Sequence, residues 1–158
     1  MTKFGFIGAG KMASAIIKGL NQEQFSVQIS GRNFEESQET AQALGVSPAA
    51  SHADLIQDSD IIVLAVKPYV VADILSEHQI EKPIVSIAAG ITLADLTAMT
   101  NKTQAIVRIM PNINATIQKS TTGIVRNAYV SDEVFDTVKA IFESVGSVHE
   151  LAEKDFGT

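Results

Sequence analysis

The residues best suited to chemistry stand near the N-terminus, where an apolar segment leads directly into a glycine-rich turn. Residues 3–7 read Lys-Phe-Gly-Phe-Ile, and the turn reads Gly8-Ala9-Gly10-Lys11-Met12-Ala13. Gly8 permits a tight turn, Gly10 lets a phosphate approach the backbone, and Ala13 lets the following helix pack closely on the strand. The free N–H groups of that helix then point at an anion. The spacing predicts a site for a dinucleotide pyrophosphate, with a turn that binds nothing as the alternative.

The end of the second predicted strand, residues 25–30, indicates which dinucleotide binds. An NAD-binding domain usually has Asp or Glu there, about 20 residues past the glycines, for the ribose 2′-hydroxyl. This chain has Ser30-Gly31-Arg32-Asn33 instead. Arg32 can bind a 2′-phosphate with a bidentate fork, which favours NADP(H) over NAD(H) without excluding NAD(H). The alternative is that Arg32 is a solvated surface charge, and Glu35 and Glu36 lie close to it in sequence.

Composition restricts the chemistry that the chain can perform. The 158 residues include no cysteine and three scattered histidines, and the formal net charge is −6. We therefore expect neither disulfides nor a metal site, and the acidic balance disfavours nucleic acid as a partner. The N-terminus lacks the features of a signal peptide, and no apolar run approaches the length of a membrane span. We expect a cytosolic protein with no membrane partner.

Apolar segments alternate with helical patterns along the chain, which predicts an α/β fold of the doubly wound Rossmann type. We expect a mostly parallel sheet with helices on both faces. The predicted strands are residues 3–7, 25–30, 46–50, 60–66, 83–87, 104–109, 122–126 and 147–150. The predicted helices are residues 34–44, 52–57 and 68–79 and the segments that follow Gly10, Thr92 and Ser131. Met110-Pro111-Asn112 is expected to break the sixth strand.

Ligands of such a sheet bind outside the carboxyl ends of the strands, near the switch in strand order. Four segments fall there, although each alone is also ordinary turn chemistry: Gly8 to Ala13, Ala65 to Pro68, Ala88 to Gly90, and Met110 to Asn112. Small residues in three of them would admit a flat ring and a ribose to the backbone. Lys11, Arg32 and Lys67 follow strands and are the candidates to hold an anionic cofactor on an acidic protein.

Five motifs occur in one order along the chain: Phe6-Ile7-Gly8-Ala9-Gly10-Lys11-Met12, Leu64-Ala65-Val66-Lys67-Pro68, Ser86-Ile87-Ala88-Ala89-Gly90-Ile91-Thr92, Arg108-Ile109-Met110-Pro111-Asn112 and Ser120-Thr121-Thr122-Gly123. By these motifs the whole chain resembles the pyrroline-5-carboxylate reductases. The resemblance implies reduction of 1-pyrroline-5-carboxylate to L-proline, the final step of proline biosynthesis. A hydride would pass from NADPH to the imine carbon, and the nitrogen would be protonated.

The resemblance also implies the cofactor contacts. The backbone of Ile7, Gly8, Ala9, Gly10, Lys11 and Met12 would hold the pyrophosphate, and Ser30 with Arg32 would hold the 2′-phosphate side. Ala65, Val66, Lys67 and Pro68, together with Ala88, Ala89 and Gly90, would flank the nicotinamide and its ribose, and Asn112 is a further expected cofactor contact. His52 stands where the family often has an adenosine-contacting asparagine, and an exposed histidine at a helix start is the alternative. No residue of this chain is assigned a catalytic role.

Members of this family continue into a helical domain, whose Ser/Gly-rich segment holds the substrate and which forms dimers and larger assemblies. We therefore expect residues 1–150 to form an NADP-binding Rossmann domain. Residues 151–158 would begin a helical substrate and dimerisation domain that is absent from this chain, so homo-oligomers are expected only for a longer chain. Two other functions are open: a related NADP-dependent imine or hydroxy-acid reductase, and a non-catalytic NADP-binding module.

Overall fold

The computed structural model describes residues 2–20, 24–88, 90–111, 121–143 and 147–150. These residues form eight strands and six helices. The strands are β1 (Thr2–Ile7), β2 (Phe25–Ser30), β3 (Ser47–Pro48), β4 (Ile61–Leu64), β5 (Ile84–Ser86), β6 (Ile106–Pro111), β7 (Thr121–Arg126) and β8 (Ser147–Glu150). The helices are α1 (Lys11–Gly19), α2 (Phe34–Leu44), α3 (His52–Asp58), α4 (Pro68–Glu77), α5 (Leu93–Met99) and α6 (Asp132–Glu143).

The strands form one sheet in the order β3-β2-β1-β4-β5-β6-β7-β8. Neighbouring strands are parallel except for β6 and β7, which are antiparallel. The order reverses between β1 and β4, and the register there places Ile7 beside both Ser30 and Leu64. Three strands therefore end side by side at the switch point, as the predicted doubly wound fold requires.

Helices cover both faces of the sheet because the strand side chains alternate between two apolar clusters. Phe4 and Phe6 pack with α1, α2 and α6 on one face. Ile62 and Leu64 pack with α3, α4 and α5 on the other. Strand β4 is buried on both faces, which explains its uninterrupted apolar sequence. No helix in the described part of the chain is long and apolar enough to cross a membrane.

The sixth strand corrects one prediction. Met110 and Pro111 do not break β6, because β7 pairs with it as far as Pro111, which lies opposite Thr122. Pairing with β5 stops earlier, at Arg108. Proline is tolerated where a strand ends and has a neighbour on one side. The segment 151–158, where we expect a further domain to begin, lies outside the described residues.

Candidate functional site

A cleft of about 590 Å³ opens at the switch point, beyond the carboxyl ends of β1, β2 and β4. Its lining comes from the turn after β1 with the start of α1, the end of β2 through the start of α2, the start of α3, the loop after β4 with α4, and the residues that follow β5. The lining residues are Gly8, Ala9, Gly10, Ala13, Ser30, Gly31, Arg32, Glu36, His52, Ala65, Val66, Lys67, Pro68, Tyr69, Val70, Ile74, Ile87 and Ala88. The topology of the sheet thus brings together segments that are far apart in sequence.

Gly8 fixes the floor of the cleft. Its φ of 85° lies in the left-handed region, which favours glycine. Its N–H donates to the carbonyl of Ser30 at 2.9 Å. A Cβ built on Gly8 would lie 2.6 Å from the carbonyl oxygen of Ala65 and 2.6 Å from Val66 Cγ1. Glycine is therefore required here by both backbone conformation and space.

The N-terminus of α1 is open to an anion. Gly10 is the N-cap, no described side chain caps this end, and the first turn carries no acidic residue. A Cβ built on Gly10 would meet no described atom within 4 Å. Ala13 is 1% exposed and packs against the core. Free N–H groups, open space and a small packing residue fit the pyrophosphate of a dinucleotide.

A second helix begins at the same cleft. Lys67 is the N-cap of α4 and Pro68 is its first residue, and no described side chain caps this end either. Ala65 donates its N–H to the carbonyl of Ile7 at 2.8 Å, which ties this loop to the end of β1. The positive ends of two helices therefore lie near one cleft.

Arg32 lies at the cleft and is already engaged by a carboxylate. Its Nε donates to Glu36 Oε2 at 2.8 Å, one helical turn away. The Arg32 side chain is 89% exposed and that of Glu36 is 36% exposed. Such an exposed pair contributes little to stability, so the guanidinium remains able to bind another anion.

His52 lies on the cleft wall, where the sequence left its role open. Its Nδ1 is 2.6 Å from the hydroxyl oxygen of Ser30, which is 1% exposed. Its ring packs edge-on against that of His78, with centroids 6.0 Å apart. Burial, with the nearby His78, lowers the pKa of His52, and Glu77 opposes this shift. His52 is therefore held as the neutral imidazole near neutral pH.

Ten of the predicted cofactor residues line the cleft: Gly8, Ala9, Gly10, Ser30, Arg32, Ala65, Val66, Lys67, Pro68 and Ala88. Ile7 is fully buried at the end of β1, and Lys11 and Met12 form the start of α1. Gly90 has a φ of 77° and is not part of the lining that the described residues form. Ala89 and Asn112 lie outside the described residues.

Several lining residues were not predicted as site residues. Glu36 follows Arg32 by one helical turn, and Ile74 follows Val70 by the same spacing. Tyr69 is 76% exposed, an unusual position for a large aromatic side chain. The spacing of four residues predicts that the members of each pair are neighbours, but only the position of the helix on the sheet shows that both of them line the cleft.

Comparison with known proteins identifies the family. The profile of the family described as "NADP oxidoreductase coenzyme F420-dependent" matches residues 3–90. The chain belongs to this family. The description names NADP, in agreement with the cofactor predicted from the glycine turn and Arg32.

Individual relatives confirm the resemblance found in the sequence motifs. The pyrroline-5-carboxylate reductase of Escherichia coli K12 is 35% identical over an alignment of 159 positions, which covers 96% of this chain and 59% of that protein. The crystal structure of the Streptococcus pyogenes enzyme has a TM-score of 0.87 and 44% identity, covering 98% of this chain and 60% of that one. The Plasmodium falciparum enzyme with NADP bound has a TM-score of 0.78 and 28% identity, covering 98% and 59%. The chain spans about three-fifths of the length of these relatives.

Proposed function

We propose that this chain is the cofactor-binding part of a pyrroline-5-carboxylate reductase, which uses NADPH to reduce 1-pyrroline-5-carboxylate to L-proline in the final step of proline biosynthesis. The observation that carries the proposal is the cleft at the switch point, where Gly8, Gly10 and Arg32 converge. Similarity to reductases over nearly the whole chain supports the substrate class.

The division of labour within the protein is part of this proposal. Residues 1–150 form the NADP-binding Rossmann domain, and residues 151–158 begin a helical domain for substrate binding and dimerisation. We expect homo-oligomers only for a chain that carries that domain, and we expect the protein in the cytosol. The net charge of −6 argues against nucleic acid as a partner.

In the proposed binding mode, the first turn of α1 holds the pyrophosphate, and Arg32 binds the 2′-phosphate beside the buried Ser30. The loop of Ala65 to Pro68 and the segment of Ala88 to Gly90 flank the nicotinamide and its ribose. Val70, Ile74 and Ile87 give the cleft an apolar wall. Small side chains near the nicotinamide subsite would let the ring lie close to the backbone.

The bound cofactor supplies a hydride for the imine carbon of the substrate. The residues of this chain contribute orientation and electrostatics. The uncapped start of α1 fixes the phosphate end, while the apolar wall excludes water from the ring. Holding the two reacting carbon atoms in the geometry of hydride transfer lowers the barrier of such a reaction by about 7–11 kcal/mol.

Cofactor binding by the 158-residue chain tests the proposal. We expect NADPH to bind, measured by the fluorescence of the reduced nicotinamide, and to bind more tightly than NADH. The substitution Gly10→Val should abolish binding of both cofactors, because a branched side chain would fill the space open to the pyrophosphate. The fold should survive, since the built Cβ meets no described atom within 4 Å.

Ala15→Val is the matched control, because Ala15 is an exposed residue of the same helix and does not line the cleft. It should bind both cofactors as the unmodified chain does. Normal binding by Gly10→Val, with an unchanged melting temperature, would show that the glycine turn is not the phosphate site.

A further inference from the structure

We propose that Glu36 sets the cofactor preference of this chain by competing with the 2′-phosphate of NADPH for the guanidinium of Arg32. The inference rests on the proposed function and adds a specificity-determining residue to it. Glu36 is part of the lining of the cleft, and its Oε2 accepts a hydrogen bond from Arg32 Nε at 2.8 Å. The same cation that would recognise a 2′-phosphate therefore already has an anionic partner from this chain.

The position of the Glu36 carboxylate is set by the backbone around it. Glu36 donates its N–H to Asn33 Oδ1 at 2.8 Å, within the cap of α2. Its side chain lies over Gly31, because a Cβ built on Gly31 would lie 3.0 Å from Glu36 Oε1 and 3.2 Å from its Cδ. The carboxylate is thus held between Gly31 and Arg32, both of which also line the cleft.

This arrangement has opposite consequences for the two cofactors. The carboxylate occupies Arg32 Nε, which leaves fewer donors for a 2′-phosphate, and its negative charge repels the phosphate. A ribose 2′-hydroxyl carries no charge and can donate a hydrogen bond to a carboxylate oxygen. Glu36 therefore weakens the binding of NADPH and not that of NADH, and it narrows the preference that Arg32 alone would give.

The ion pair of Arg32 and Glu36 contributes little to the stability of the fold. Arg32 is 89% exposed, and exposed ion pairs one helical turn apart contribute little to stability. Glutamine keeps the length of the side chain and is a good residue at the third position of a helix. Glu36→Gln should therefore fold as the unmodified chain does, which a thermal melt can verify.

Titration of the chain with NADPH and with NADH tests the proposal. Glu36→Gln should raise the ratio of the NADPH affinity to the NADH affinity by about fivefold to tenfold, since it removes a like charge a few ångströms from the phosphate. Glu35→Gln is the matched control, with the same change in net charge in the same turn, on an exposed residue outside the lining. That control should leave the ratio within about twofold.

The Glu36→Gln substitution made in an Arg32→Ala protein shows whether Glu36 changes the affinity ratio by way of the Arg32 guanidinium. Glu36→Gln should change the ratio much less there, because the group for which Glu36 competes is gone. An undiminished effect, or an equal effect of Glu35→Gln, would overturn the proposal. An unchanged ratio in Glu36→Gln, with both cofactors bound, would overturn it and leave the proposed function intact. A chain that binds neither cofactor would overturn both.

Discussion

Single residues shape the cleft mainly by being small where a ligand must approach the backbone. Gly10 leaves the start of α1 open, and Gly8 lets β1 end against the loop after β4. Ala65 and Ala88 line the cleft with little more than a methyl group each. The charged side chains of the lining are Arg32, Glu36 and Lys67, which stand in the loop after β2, at the start of α2 and in the loop after β4.

His52 should make the stability of the protein depend on pH. Burial and His78 lower the pKa of His52 below the ordinary value of 6.5, so the unfolded chain takes up this proton at a higher pH than the folded chain. The stability that neutral His52 contributes is therefore lost as the pH falls from the pKa of the unfolded chain toward the lower pKa of the folded chain. Between about pH 7.5 and about pH 5.5, the melting temperature should fall more for the unmodified chain than for His52→Asn.

Circular dichroism melts at the two pH values measure this difference. Asparagine keeps a neutral side chain that can hydrogen-bond the Ser30 hydroxyl but does not titrate. Equal falls in the two proteins would show that the protonation of His52 is not linked to folding.

At the scale of elements, the turn that joins β1 to α1 stabilises the fold as well as shaping the site. Gly8→Ala should destabilise the protein by about 2 kcal/mol or more, because a left-handed φ and a close approach to Ala65 act together. Gly45→Ala is the control: its φ is 72°, but a built Cβ meets no described atom within 4 Å. Gly45→Ala should lower the free energy of unfolding by only about 1–2 kcal/mol, which is the cost of the left-handed backbone conformation alone.

Urea unfolding of the two variants gives the comparison. The difference between them isolates the steric contact with Ala65 and Val66. If Gly45→Ala is destabilised as much as Gly8→Ala, the strand ends must relax around the new methyl group, and the floor of the cleft is less rigid than we infer.

Local sequence predicts the elements that carry their own boundaries. Helix α2 begins and ends where expected, since Asn33 caps it and Gly45 ends it in the left-handed conformation. The helix expected after Thr92 is confirmed as α5, and a capping box of Thr92 and Asp95 fixes its start. The end of β6 was not predictable in this way, because β7, more than ten residues later in the chain, extends it to Pro111.

The residues of the candidate site differ in the same way: local sequence predicts some of them, and only tertiary packing shows the others. Glycine spacing and strand ends locate the cleft from sequence alone, because parallel strands end at one edge of a sheet. The hydrogen bond of Ser30 to His52 joins residues 22 positions apart and depends on how α3 packs beside β2. Glu36 belongs to the lining only because the first turn of α2 faces the loop after β2. Contacts of this kind come from tertiary packing, which local patterns do not encode.

In the proposed function, the whole molecule holds an anionic cofactor although its formal net charge is −6. The described structure offsets this negative charge locally. The uncapped N-terminal ends of α1 and α4 and the side chains of Arg32 and Lys67 lie at one cleft. Affinity for the phosphates and contacts to the substrate are then separable properties. In our proposal, the first belongs to this chain and the second needs the part of the longer relatives that this chain does not cover.

Binding and turnover should therefore separate in the 158-residue chain. We expect it to bind NADPH but to oxidise it with pyrroline-5-carboxylate far more slowly than a reductase of full length. The reason is that the imine carbon must be held over the nicotinamide, and placement of this kind lowers a barrier by about 7–11 kcal/mol. The residues that line the cleft offer backbone, small side chains and phosphate ligands. In our proposal, the groups that hold the substrate belong to the part of the longer relatives that this chain does not cover.

The assay is substrate-dependent loss of NADPH absorbance, with the Streptococcus pyogenes reductase, which is 44% identical to this chain, as the full-length control. Both proteins are assayed at a cofactor concentration that saturates them, so that a weak affinity cannot be mistaken for a slow reaction. A rate within about tenfold of the control would correspond to a barrier difference of only about 1.4 kcal/mol. Such a rate would mean that residues 1–158 already hold the substrate in line with the cofactor, and the proposed division between cofactor-binding and substrate-binding parts would be wrong.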